Sequence, residues 1–183
     1  MILDAFLLFS GGGGGVGNGD GKTDSPTTGT QVSSNVIDLG VTSGIPSSAN
    51  GGGARDIGTG DDPSLKLMVD VTTTFLGAVD LQIILQGAPD DGTGAPGSYT
   101  TMYSGPVVLE ASLLAGIRLA DIDIPRPVPG QALPRFLRLE YVTSSGTHSA
   151  GALEAGIVID RNDQVVGDTG KISGYPAGIN VAN

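Results

Sequence analysis

From Arg135 to Asp160 the chain reads RFLRLEYVTSSGTHSAGALEAGIVID, two alternating segments around a Ser/Gly/Thr-rich turn. In the first, Leu137, Leu139 and Tyr141 fall on one side, with Arg138 and Glu140 on the other. In the second, Leu153, Ala155, Ile157 and Ile159 lie opposite Glu154 and Asp160. Successive side chains of a strand point to opposite faces, so a two-residue period marks a strand with one buried side. The pattern predicts an antiparallel hairpin here, and it points to an all-β protein.

The same period recurs upstream. It predicts strands at 35–39, 65–73, 79–86, 99–104, 106–110, 117–124, 135–143 and 152–160. Leu67, Val69, Leu81, Ile83, Leu137, Leu139, Ile157 and Ile159 are the expected core. Ile117 and Leu119 share a face with Ile122 and Ile124 only if a bulge falls near Ala120 and Asp121. Pro125, Pro127 and Pro129 end that strand, and ASLLAG at 111–116 reads as one helical turn closed by glycine. About eight short strands predict a two-sheet antiparallel sandwich, with an eight-stranded jelly roll as the leading arrangement.

Ahead of that domain lies a different kind of sequence. Residues 1–10, MILDAFLLFS, are apolar, with Ile2, Ala5, Phe6 and Phe9 at helical spacing. Residues 11–33 are rich in Gly, Ser and Thr and offer little to bury, so they read as a flexible linker. The first ten residues are therefore expected to be a tethered arm. Ile2, Leu3, Phe6, Leu7 and Phe9 would anchor it, preferably on another molecule, since a self-docking arm would not need so flexible a tether. Residues 34–160 form the sandwich and 161–183 a tail with no clear period. The segment 40–63 and GAPDDGTGAPGS at 87–98 read as loops.

Charge and composition exclude several function classes. The 183 residues carry a net charge of −10, with Asp far outnumbering Glu, which puts the acid in turns. Phosphate contact needs Lys and Arg, so neither nucleic acid nor an anionic membrane is an expected partner. No apolar run approaches the roughly 20 residues of a membrane-spanning helix. Met1–Ser10 lacks the basic start and apolar length of a signal peptide. There is no Cys, so disulfides and thiolate metal sites are unavailable.

The motifs that suggest chemistry have plainer readings. GGGGGVGNGDGKT at 11–23 ends like a phosphate-binding loop, but Val16 stands where the first glycine is required. Asn18, Asp20 and Gly21 resemble part of a calcium loop that lacks its first carboxylate and its bidentate Glu. The pairs Asp61–Asp62 and Asp90–Asp91 read as turn caps, not as acid–base or metal pairs. His148, the one histidine, is expected to be a solvated turn residue whose loss is neutral, and no hydrolytic triad is assembled around it. Arg135 and Arg138, beside Glu140, read as solvated strand residues able to contact a partner, where Arg is enriched. No catalytic residue, cofactor site or metal site is expected.

Several segments also coincide in order: MILD at the start, SNVIDLG at 34–40, LQIILQ at 81–86, LLAG at 113–116, RFLRLEY at 135–141, SAGA at 149–152 and IVID at 157–160. Together they resemble the capsid cement (decoration) proteins of tailed bacteriophages related to the Bordetella phage cement protein. The resemblance implies a jelly-roll subunit on the outer capsid surface of a virion. There it would bridge neighbouring major capsid protein subunits and associate with itself, as a homodimer or, second, a trimer. The competing reading is a carbohydrate-binding or enzymatic β-sandwich module. The absence of Trp, with only four Tyr, leaves little for a sugar platform, and scattered Asp with one His leave little for catalysis.

Overall fold

The structure, a computed structural model, describes residues 7–10, 24–40, 65–78, 80–125, 132–144 and 146–158. It is all-β, with two antiparallel sheets packed face to face. The strands are β1 (Leu8–Ser10), β2 (Gly29–Val32), β3 (Ile37–Asp38), β4 (Lys66–Ala78), β5 (Asp80–Ala88), β6 (Thr100–Leu109), β7 (Arg118–Asp123), β8 (Phe136–Thr143) and β9 (Gly146–Val158). One sheet has the order β1-β9-β4-β7; the other runs β2-β8-β5-β6, with β3 also on β8. The chain thus passes repeatedly from one sheet to the other, which is the jelly-roll arrangement.

Nine strands are present among the described residues, where the sequence predicts eight. The first two strands, β1 and β2, come from segments read as arm and linker, while the predicted strands at 99–104 and 106–110 are one strand, β6. β2 and β3 occupy a single edge position, since both pair with β8, at Glu140–Thr143 and at Phe136–Leu137. Between them Ser33 maintains the ladder: its N–H donates to Leu139 O, and its Oγ accepts from Leu139 N. Pro106 is tolerated within β6 because β6 is an edge strand.

Alternation delivers the core as expected. Leu67, Val69, Leu81, Ile83, Leu137, Leu139 and Ile157 are all buried between the sheets, while Ile159 lies outside the described residues. The bulge in β7 falls at Leu119, one position before the expected site. Val69 pairs with Ala120 and Asp70 with Arg118, so Leu119 is the extra residue. Glu110–Ser112 forms a short 3-10 turn, and Gly116, at φ 87°, closes the segment as a left-handed glycine.

Four expectations are corrected. First, β8 and β9 are not a hairpin: they belong to opposite sheets, and their apolar faces meet across the core. Alternation reports a buried face but not which sheet carries it. Second, β4 and β9 are longer than predicted, running together from Lys66↔Val158 to Ala78↔Gly146. Their register shifts three times, which erases the two-residue period over the added length.

Third, His148 is not solvated. It lies within β9, 2% exposed, with its ring edge-on to Phe75 at 4.7 Å between centroids. Its Nε2 is 3.2 Å from Asp80 O, so that nitrogen carries the proton and donates. Beside it Gly151 is required, because a Cβ there would come within 2.3 Å of the Phe75 ring.

Fourth, the start of the chain is not wholly a free arm. Leu8–Ser10 adds β1 to the edge of the first sheet, and Phe9 is 0% exposed within the core. Gly156 allows this, since a Cβ there would meet Leu8 Cδ2 at 2.7 Å. The linker boundary moves as well. Asp24 exchanges both backbone hydrogen bonds with Leu153 of β9, at 3.1 and 2.8 Å. Its carboxylate accepts from Tyr141 Oη at 2.6 Å and from Ser34 N at 3.0 Å. A residue read as linker therefore joins the two sheets. Ile2, Leu3, Phe6, residues 11–23 and the 161–183 tail lie outside the described residues.

Truncating a buried aromatic removes its transfer energy and leaves a cavity. Phe9→Ala is therefore expected to destabilise the domain by about 3–5 kcal/mol. His148→Ala, contrary to the sequence reading, should also destabilise it. Urea unfolding of each variant against the unmodified chain checks both.

Candidate interaction surface

Among the described residues, most titratable side chains that could suggest chemistry hold a turn or join two strands, while His148 Nδ1 is buried without a hydrogen-bond partner. At the corner between β4 and β5, Asp80 accepts from Ser144 N at 2.8 Å and from Ser144 Oγ. This fastens it to the corner between β8 and β9, where Ala78 pairs with Gly146. The Ser144 hydroxyl and amide hold the Asp80 carboxyl below its ordinary value. Ser149, next to His148, spends its hydroxyl on Leu76 O at 3.1 Å, so Ser and His do not form a nucleophile and base.

Asp90 and Asp91 cap the turn after β5, as the sequence reading expects. Asp90 Oδ1 accepts from Gly92 N at 2.7 Å and Gly94 N at 3.0 Å. Asp91 Oδ1 accepts from the amide and hydroxyl of Thr93, both at 2.7 Å. These bonds favour the charged forms and lower both carboxyls, Asp90 chiefly through the Gly92 amide and Asp91 chiefly through the Thr93 hydroxyl.

Arg135 and Arg138 are not the loose surface cations that the sequence suggests. Arg135 forms a two-pronged pair with Asp38, at 2.8 and 2.9 Å, and its remaining arm meets Asp90. It thereby ties β3, the turn after β5 and the start of β8, and its protonated form is further favoured, chiefly by Asp38. Arg138 donates to Gln86 Oε1 at 2.8 Å and stacks over the Tyr99 ring at 3.7 Å from its centroid. Leu7 is packed against the core and Phe9 is within it, so these two members of the expected anchor serve their own domain. Lys66–Asp123 and Arg118–Asp70, the latter at 2.8 Å, occupy the outer face of the first sheet.

The sequence reading missed Asp24, Ser33 and Asp80. It puts Tyr141 on the buried face of its strand, but nothing in the pattern names Asp24 as its partner. Burial, with the Asp24 charge beside it, raises the Tyr141 hydroxyl well above its ordinary value. Among the described residues, no group of three or more His, Asp or Glu side chains is placed to hold a metal ion. No helix among them is long and apolar enough to cross a membrane.

The described surface also carries exposed apolar side chains, among them Val32, Val36, Leu76 and Leu133. Val107 and Leu109 at the end of β6 are 55% and 62% exposed. Leu114 and Ile117 on the crossing from β6 to β7 are exposed as well. Between the two edge strands is a shallow notch lined by Leu81, Ile83, Tyr103, Pro106, Val108 and Leu119.

These features define a jelly-roll protein in which many described polar residues brace the fold. The sequence profile of the Bbp16 family matches residues 23–157, most of the chain and the span that forms all the strands after β1. The chain therefore belongs to the Bbp16 family, a name that points to a Bordetella phage protein. No curated protein matches the sequence.

The lowered carboxyls carry a pH consequence. Each binds its proton less readily folded than unfolded, so its stabilisation is present above the ordinary 3.8 and is lost as pH falls below it. The domain is expected to lose stability on acidification below about pH 4. The combined variant Asp80→Asn and Asp90→Asn should show a shallower loss. Thermal melts across that range check this.

Proposed function

We propose that this chain is a capsid cement protein. It binds the outer surface of an assembled phage shell, spans adjacent major capsid protein subunits and associates with its own copies. The observation that carries the reading is the Bbp16 match over the sandwich, in a chain whose segments also resemble phage cement proteins. The side chains support binding over catalysis. His148 is enclosed against Phe75, Asp80 and Asp90 hold turns, and Arg135 is committed to two carboxylates. A net charge of −10 does not suit contact with packaged nucleic acid, in keeping with a position outside the shell.

Cementing is binding linkage. A protein that binds the assembled shell but not its dissociated subunits stabilises assembly by RT ln(1 + [L]/Kd), about 2.7 kcal/mol at a hundredfold excess over Kd. The same term applies at every site, so a repeating shell sums many modest contributions. A braced domain suits this role, because a subunit that stayed soft would lose ordering entropy on binding.

Purified particles are expected to contain this chain in fixed proportion to the major shell protein. Particles assembled without it should disassemble at lower temperature, and adding purified protein should restore them. Mass spectrometry of particles and a thermal release assay of packaged DNA test this. Absence of the chain from purified particles refutes the cement reading.

A further inference from the structure

We propose that two copies of this chain meet through the side of the sandwich formed by β6 and the crossing from β6 to β7. The inference deepens the self-association named in the proposed function by giving it a surface. From Gly92 to Ile117 the sole acidic or basic residue is Glu110, in a chain of net charge −10. Glu110 itself is occupied, accepting from Gly77 N at 3.1 Å. Four of the eight exposed large apolar residues described fall on this stretch, Val107, Leu109, Leu114 and Ile117, while Val32, Val36, Leu76 and Leu133 lie elsewhere. A small apolar notch between β6 and β7 is lined by Pro106 and Val108 of the same strand.

Charge selects the occupant. Two identical acidic chains repel wherever their carboxylates face one another, and a buried carboxylate pair adds a desolvation penalty. A side with one carboxylate, Glu110, keeps both terms small. The neighbouring charges on β7 are already matched, since Arg118 pairs with Asp70 and, at 3.7 Å, with Asp121. The opposite edge is a poorer platform. Its strands, β2 and β3, are four and two residues long and interrupted at Ser33–Val36, whereas β6 has ten residues.

β6 is also an edge without the usual charged guards. Edge strands avoid pairing through inward charges, prolines and bulges. β6 carries no charged residue and has Pro106 with register shifts near Met102 and Gly105. Those features oppose a long flat ladder but leave Val107 and Leu109 presented, so side-chain packing about a two-fold axis is the contact the geometry favours.

The test uses the full chain without shell. By sedimentation equilibrium the unmodified protein is expected at twice its 18.3 kDa chain mass. Val107→Asp with Leu109→Asp should sediment at the single-chain mass while keeping its β-sheet circular dichroism. Val32→Asp, on the opposite edge, should stay at twice the mass. The chain has no Cys, so Val107→Cys provides one attachment point per copy, which a bis-maleimide should cross-link in high yield. The same reagent on Val32→Cys should yield little. That milder pair decides the matter should the aspartate variant fail to fold. A monomeric unmodified chain, or a pair indifferent to Val107, overturns the proposal. Shell occupancy, measured separately on particles, reports on the cement reading and not on this face. Loss of shell occupancy by the aspartate variant of a chain already monomeric would assign the surface to the shell protein instead.

Discussion

Two sheets with one apolar face each must shut against one another, and every other feature of this domain serves that closure. Leu67, Val69 and Val71 of β4 with Leu153, Ala155 and Ile157 of β9 supply one wall. Leu81, Ile83 and Leu85 of β5 with Leu137, Leu139 and Tyr141 of β8 supply the other. Each fully buried side chain of this size contributes about 1.5–3 kcal/mol, and only while water is kept out. Water would enter at the rims, and buried polar groups close two of them. Asp24 links Leu153 to Tyr141 on one side, while Asn35 donates to Leu8 O at 2.9 Å and to Phe9 O at 3.1 Å close by. At the corners Asp80 fastens Ser144 and sits under His148.

The walls were legible because burial on one face of a strand imposes a period that side chains must obey. What escaped was connectivity. A corner passing from sheet to sheet and a hairpin within one sheet both present two alternating segments around a short turn. The stretch from Arg135 to Asp160 therefore fits either. The added lengths of β4 and β9 escaped because register shifts place consecutive residues on one side. Phe75, Gly151 and His148 therefore fall outside the predicted strands, although they pack together.

The misplaced arm has a geometric explanation. Ser10 Oγ donates to Leu153 O, and Asp24 N donates to the same carbonyl. β1 and Asp24 therefore meet the domain at one point. Flexibility was read as reach, whereas the hydrogen bonds at Leu153 show return. Of the expected contact residues, Phe9 is therefore an inward residue, and Arg135 and Arg138 are bracing ones. Interaction surfaces are harder to read than cores because apolar residues such as Val107 and Leu109 obey no period imposed by their own chain.

Net charge supplies a further discriminator between contacts. Two chains of −10 approach against a long-range repulsion. Salt screens it, with a Debye length of about 8 Å at physiological ionic strength and about 3 Å at 1 M. Packing of Val107 and Leu109 against their copies is not weakened by that screening. Self-association through the β6 side should therefore tighten as salt rises. An interface built on opposite charges, such as an acidic face of this chain on a basic patch of shell protein, should loosen over the same range. Sedimentation of the isolated chain across a salt series separates the two cases. Dissociation at high salt would mean that charged groups, not the β6 side, hold the copies together.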